Sequence, residues 1–280
     1  MKKLVWFLFL LTSAALADTQ ADIEFAKVGE TSLKLNLHRP PGENPPLIVY
    51  VHGGAWRAGS KSDVPIAALL DHGFAIASVD YRLSTQAVFP AQIHDIKAAI
   101  RFLRAKAAEF RLNTKKIAII GSSAGGHLAA LVGVTNGHKV LEGRIGDHLD
   151  QSSRVDAIVS FYGASNLQSI LAQSTEFGLT VRIPALKLLL GDVPEKKPEL
   201  AKLASPVAHL DQGDPSLLLI HGDTDPQMPH EQSREFASAY EALKLRVKLV
   251  TLPGSRHGGE EFYDAERSKL VAGFLNEALR

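Results

Sequence analysis

A serine flanked two positions away on each side by glycine stands at 121–125, in Gly121-Ser122-Ser123-Ala124-Gly125. This G-x-S-x-G follows the apolar run Ile117–Ile120 and opens a helix-like stretch. That is the setting of a nucleophile elbow, a strand-to-helix corner too sharp for larger side chains at the glycine positions. Ser123 is the expected nucleophile, because Ser122 in that role would require a glycine where Ile120 stands. A phosphate cradle is the competing use of such a corner. The P-loop lysine is absent, however, and a dinucleotide fingerprint would need glycine at 123.

A serine hydroxyl is a poor nucleophile at neutral pH, so it needs a base to take its proton and a partner to orient that base. Where a nucleophile elbow is used, the chain order is serine, then acid, then histidine. Downstream, Ser216–Gly222 reads as a buried strand followed by Asp223 and Asp225, and Arg246–Gly254 as the next strand followed by His257. Asp225 sits in a proline-containing loop and is the expected acid; Asp223, directly after Gly222, is the rival and reads as turn chemistry. His257 is the expected base. Negative charge developing on a carbonyl oxygen also needs donors. The glycine-rich turn after the strand at 47–51 offers the amides of Gly54 and Ala55, and the residue after the nucleophile offers that of Ala124. Trp56 is the expected substrate contact; Phe161, Tyr162 and Phe177 are equally readable as core. Most of the 11 histidines read as ordinary: His52 as holding its loop, His127 and His138 as packing, His230 as a helix start, His209 and His221 without a visible partner. No spacing of histidines and acids calls for a metal.

Such a site needs parallel strands whose C-terminal ends meet. Residues 21–29 and 31–40 alternate as two antiparallel edge strands. Continuous apolar runs at 47–51, 74–79, 117–120, 155–161 and 216–220 suit strands buried on both faces. Between them, helical spacing appears at 91–110 (Ile93, Ile96, Ile100, Leu103), after Ser123, from about Glu231 to Leu243 and from about Ala265, with a short helix at 64–72. Strand and helix in alternation predict an α/β fold, a mostly parallel central sheet with helices on both faces. Residues 164–213 hold no buried strand and read as a helical excursion, either a small cap or lid or a long plain crossover. No linker divides residues 18–280, which are expected to form one domain.

Composition limits the partners. The 31 basic and 30 acidic residues give no electrostatic reason to expect nucleic acid or an anionic membrane. The absence of cysteine removes disulfides, thiolate chemistry and lipidation through sulfur. Lys2 and Lys3 precede an apolar run too short to span a bilayer, and Ala15-Leu16-Ala17 fits a signal-peptidase site. Residues 1–17 are therefore expected to be an export signal rather than a stable membrane anchor, with a periplasmic or secreted product. Oligomeric state is not legible in the sequence.

Taken together, HGGAW at 52–56, VDYRLS at 79–84, FPAQIHDIKAAIRFL at 89–103, GSSAGGHLAAL at 121–131, HGDTDPQMPHEQS at 221–233 and GSRHGG at 254–259 carry a family likeness. Over about residues 25–275 the chain resembles α/β-hydrolases of the bacterial esterase/lipase group, near the feruloyl-esterase-like and acetylxylan-esterase-like branch. The family's acid stands in D-x-x-V-P, matched by Asp225–Pro229 with Met228 for valine, which favours Asp225 over Asp223. Asp95, a recurrent family position, reads as structural. The resemblance implies a serine carboxylesterase for small or carbohydrate-linked esters, acetyl or feruloyl, working without cofactor or metal. HGGAW also fits arylformamidases, which an export signal disfavours. Peptidases of this fold commonly carry an added recognition domain. A non-catalytic binding protein on the same fold is the alternative of a different class.

Overall fold

The structure, a computed structural model, describes residues 18–280; the expected signal segment 1–17 lies outside the described residues. Eight strands form one sheet: β1 (Asp18–Val28), β2 (Thr31–Arg39), β3 (Pro46–Val51), β4 (Ala75–Val79), β5 (Asn113–Ser122), β6 (Ala157–Phe161), β7 (Ser216–Gly222) and β8 (Val247–Leu252). Their spatial order is β1-β2-β4-β3-β5-β6-β7-β8. β1 and β2 pair antiparallel, β2 joins β4 antiparallel, and every later pairing is parallel. The alternating edge hairpin and the buried apolar strands thus fall where the sequence pattern places them.

Side chains of successive strand residues divide between two cores. Leu47, Val49, Val51, Ile117 and Ile119 face one side of the sheet. Ile48, Tyr50, Ala118 and Ile120 face the other. Both faces are apolar because both are covered. The first core takes in α1 (Ala91–Ala105) and α2 (Ala124–Gly133), through residues such as Ile93, Ile96, Ile100, Leu128 and Leu131. The second takes in the last helix of the chain through Val271 and Leu275. The short helix expected at 64–72 is a single 3-10 turn at Ala67–Leu70.

Three further helices follow from the excursion and its neighbours: α3 (Lys139–Glu142), α4 (Ile170–Gln173) and α5 (Glu176–Leu190). α6 (Pro198–Leu203) closes the excursion, and α7 (His230–Ala242) and α8 (Ala265–Ala278) cover the β7–β8 end. α5 begins at a Thr175 cap, whose hydroxyl accepts from the Gly178 amide at 2.9 Å, and stops at Gly191 in the left-handed region. Among the described residues no helix is long and apolar enough to cross a membrane.

Candidate active site

The β5–α2 corner owes its shape to missing side chains. A Cβ on Gly121 would lie 2.1 Å from the Gly125 carbonyl oxygen, and one on Gly125 would lie 2.0 Å from that of Val51. Neither is tolerable, so the corner closes only with glycine at both positions. Ser123 is held at φ 54° and ψ −118°, a strained conformation for a residue with a Cβ. Its amide donates to the Phe161 carbonyl at 2.9 Å, and its own carbonyl accepts from the His127 amide at 3.0 Å. These bonds fix the serine between β6 and the first turn of α2.

The Ser123 hydroxyl lies 2.8 Å from His257 Nε2. On the other side of that ring, Nδ1 donates to Asp225 Oδ2 at 2.6 Å, which leaves Nε2 free to accept from the serine. Asp225 is itself locked: Oδ1 accepts from the amides of Gln227 and Met228, each at 2.8 Å. Oδ2 also has His221 Nε2 at 3.3 Å. Burial alone would raise the Asp225 carboxyl pKa. The hydrogen bonds from His221 and His257, with the His257 charge, outweigh that burial and hold the acid well below the usual carboxylate range. Asp223 does not reach this line; its carboxylate accepts from the Gly254 amide at 2.7 Å and ties two loops together.

Beside the serine, Gly54 and Ala55 line the cleft. Gly54 sits at φ 103° and Ala55 at φ 51°. The Gly54 carbonyl is turned back to accept from the amides of Arg57 and Ala58, at 3.1 and 3.0 Å. Ala124 is the first residue of α2, where helix amides are unpaired and the helix dipole is positive. The three amides donate to no backbone acceptor among the described residues. His52 stacks on Tyr81 at 4.4 Å and its Nδ1 bonds the Gly53 carbonyl at 2.8 Å, so it braces the turn.

Trp56 requires a correction. Its ring is fully buried, not in the cleft, and its Nε1 donates to His127 Nδ1 at 3.1 Å. With both Ala55 and Trp56 in the left-handed region, the turn carries the indole beneath the loop and into the core instead of toward a substrate. Phe161 is likewise buried, and Phe177 is exposed on α5. Tyr162 alone of that group lines the cleft, its ring 4.8 Å edge-on to His257.

The cleft has a volume of about 680 Å³. One wall is a chain of hydroxyls: Tyr50 donates to Ser122 at 3.2 Å, and Ser122 lies 2.7 Å from the Tyr263 hydroxyl, which is 2.5 Å from that of Tyr162. Burial raises the pKa of all three tyrosines, so they stay neutral. Of this wall, sequence reading offered only Tyr162 as a possible pocket residue and missed Tyr50, Ser122 and Tyr263, which are scattered from 50 to 263. It also missed His221, four residues before Asp225, and Arg182 on α5. Asp95 is structural as expected: buried, it accepts a two-pronged bond from Arg82 at 2.8 and 2.7 Å. Among the described residues no three histidine or acidic side chains are grouped to hold a metal ion.

A serine at a β5–α2 elbow, with acid and histidine after β7 and β8 of a mostly parallel open sheet, defines an α/β-hydrolase. The BD-FAE family profile matches residues 33–240, and the chain belongs to that family. Among similar proteins is esterase LipC of Mycobacterium tuberculosis, 31% identical over 248 residues, covering 86% of this chain and 60% of LipC. A truncated carbohydrate esterase from gut microbiota has a similar structure, with TM-score 0.85, 31% identity and coverage of 93% of this chain and 96% of that one. So has a bifunctional GH43-CE protein of Bacteroides eggerthii, with TM-score 0.84, 34% identity and coverage of 94% of this chain and 35% of that one. The chain spans about 60% of the length of LipC, 61% of that of esterase LipQ and 55% of that of LipM, three of the curated relatives it matches.

Proposed function

We propose that this protein is a serine carboxylesterase acting on small or carbohydrate-linked esters. The observation that carries the reading is the unbroken line from the Ser123 hydroxyl through His257 to Asp225, at 2.8 and 2.6 Å, beside the cleft. Its esterase relatives, one of them named a carbohydrate esterase, support the same reading.

In this mechanism His257 Nε2 takes the Ser123 proton as Oγ attacks the ester carbonyl carbon. The carbonyl oxygen, now an oxyanion, is held by the amides of Gly54, Ala55 and Ala124, each such donor being worth about 3 kcal/mol of barrier. The C–O bond to the alcohol then breaks, and the alcohol leaves with the proton from His257. Water attacks the acyl-enzyme, giving its proton to His257, and Ser123 leaves as the protonated hydroxyl with release of the acid. Asp225 keeps its charge throughout and stabilises the imidazolium. The hydroxyl wall of Tyr50, Ser122, Tyr162 and Tyr263 suits a polyhydroxylated leaving group such as a sugar, and motivates the acetyl- or feruloyl-carbohydrate assignment.

The test is a panel of 4-nitrophenyl esters from acetate to octanoate, run beside acetylated xylan, methyl ferulate and N-formylkynurenine. Turnover of esters is expected, along with labelling of Ser123 by a fluorophosphonate. A preference for N-formylkynurenine would favour an arylformamidase, and neither turnover nor labelling would leave a binding protein.

We also propose that residues 1–17 direct export and are removed after Ala17, on the strength of the basic start, the short apolar run and Ala15-Leu16-Ala17. N-terminal sequencing of the native protein should begin at Asp18. A soluble cytoplasmic form retaining Met1 would refute it.

A further inference from the structure

Arg182 is a buried cation with unused donors. It lies on α5, lines the cleft that holds Ser123 and His257, and is 1% exposed. Among the described residues only its Nε is bonded, to the Gln227 carbonyl at 3.1 Å. The guanidinium sits 6.0 Å over the Trp56 ring, which supports its face but accepts no hydrogen bond in the plane. Nη1 is buried with no acceptor among the described residues. Among the described residues no carboxylate forms an ion pair with it. Asp225 is near enough to act on it by charge, but its oxygens are already taken by the Gln227 and Met228 amides and by His221 and His257.

A purely structural role uses one of five N–H groups and leaves a buried charge without the acceptors that would offset its loss of water. Arg57, a second cation, lines the same cleft, and its charge acts on Arg182. Asp63 lines the cleft too, but its charge acts on Tyr50 and Tyr162. The cleft therefore pairs a hydroxyl wall with a cationic group whose fork is vacant. A planar fork of this kind matches a carboxylate with two parallel hydrogen bonds.

We propose that Arg182, assisted by Arg57, forms a carboxylate subsite, so that the preferred substrates are acidic esters. The carboxylate belongs either to the alcohol part, as in an acetylated uronic acid, or to the acyl part, as in a half-ester of a dicarboxylic acid. This rests on the esterase reading above and names its substrate class.

Two matched pairs of esters test it. The first compares acetylated methyl glucuronoside with acetylated methyl glucoside. The second compares mono-4-nitrophenyl succinate with 4-nitrophenyl butyrate. In the wild type, kcat/KM for the acidic member of one pair is expected to exceed its neutral partner by roughly tenfold or more. Arg182→Lys, which keeps the charge and removes the fork, should shrink that ratio, and Arg182→Met should abolish it. The ratio within a pair is read, so a general loss of turnover from loosening Gln227 cancels. If Arg182→Met does not fold, the wild-type ratios and the Lys variant still decide. Equal kcat/KM for both members of both pairs, or a preference unchanged in Arg182→Lys and Arg182→Met, overturns the subsite.

Failure of the esterase reading would show differently. Calorimetric binding of glucuronate or monomethyl succinate to Ser123→Ala protein, lost in Ser123→Ala/Arg182→Met, supports the subsite even if the wild type hydrolyses no ester. Absence of binding of both acids overturns it.

Discussion

The nucleophile corner and the 164–213 excursion reach the same cleft by opposite means. At the corner, Gly121 and Gly125 are fixed by backbone approaching backbone at distances that leave no room for a Cβ, and Ser123 is held between them. The excursion instead docks through side chains on the acid loop, where Thr175 Oγ1 donates to the Pro226 carbonyl at 2.8 Å and Arg182 to that of Gln227. The corner's constraint is set by backbone atoms, the Gly125 carbonyl against Gly121 and the Val51 carbonyl against Gly125, so it has to be met by residue type at fixed spacing and leaves a motif. A contact across 45 or 51 residues requires only some donor at the right place, and leaves none.

Removing the chemistry while sparing the corner's geometry should have the largest effect. Ser123→Ala keeps both glycines and the Ser123 backbone bonds, so the fold should persist while kcat falls on the order of 10⁶, as in comparable triads. Circular dichroism and ester turnover measured together check this. A variant that is inactive because it is unfolded would mean that the hydroxyl also holds the corner.

The acid loop belongs to both regions, since its carboxylate serves His257 and its carbonyls receive the excursion. Asp225→Asn is expected to lower kcat on the order of 10⁴ by disturbing the His257 tautomer. Asp223→Asn should cost only a few-fold, because it removes a strap to Gly254 and no bond to the imidazole. Equal losses in the two variants would contradict the assignment of the acid.

The same contrast explains what was legible. The sheet with its edge hairpin, the elbow and the acid and histidine after consecutive strands follow from periodicity and short motifs. Trp56 was misread because the indole's direction depends on two successive left-handed residues, Ala55 and Trp56, neither of them glycine. An alanine and a tryptophan give no warning of that conformation. The tyrosine wall escaped for a different reason: its members come from distant strands and loops, as when Tyr50 meets Ser122 72 residues away. Residues 164–213 were readable as helical but not as the source of Arg182.

The last expected effect, on stability and not on turnover, lies where the two regions meet. His127 on α2 receives the Trp56 indole proton on Nδ1 and bonds the Ala204 carbonyl through Nε2 at 2.7 Å, so it must be neutral, with its proton on Nε2. Burial lowers its pKa from 6.5 to about 4, against the Ala204 bond, which raises it, and with the Arg182 charge, which lowers it further. Between those values the unfolded chain binds a proton that the folded chain refuses, so stability falls as pH drops from 6.5 toward 4 and is level in this respect above 6.5. A span of that size corresponds to about 3 kcal/mol. Burial lowers His38, His52, His209 and His230 as well, with the same sign, so the measurement is a difference. Urea unfolding at pH 7 and pH 4 should show that His127→Gln, though less stable at pH 7, loses about 3 kcal/mol less on acidification than the wild type. An identical acid loss in both proteins would show that α2 and the excursion are not joined through a neutral His127.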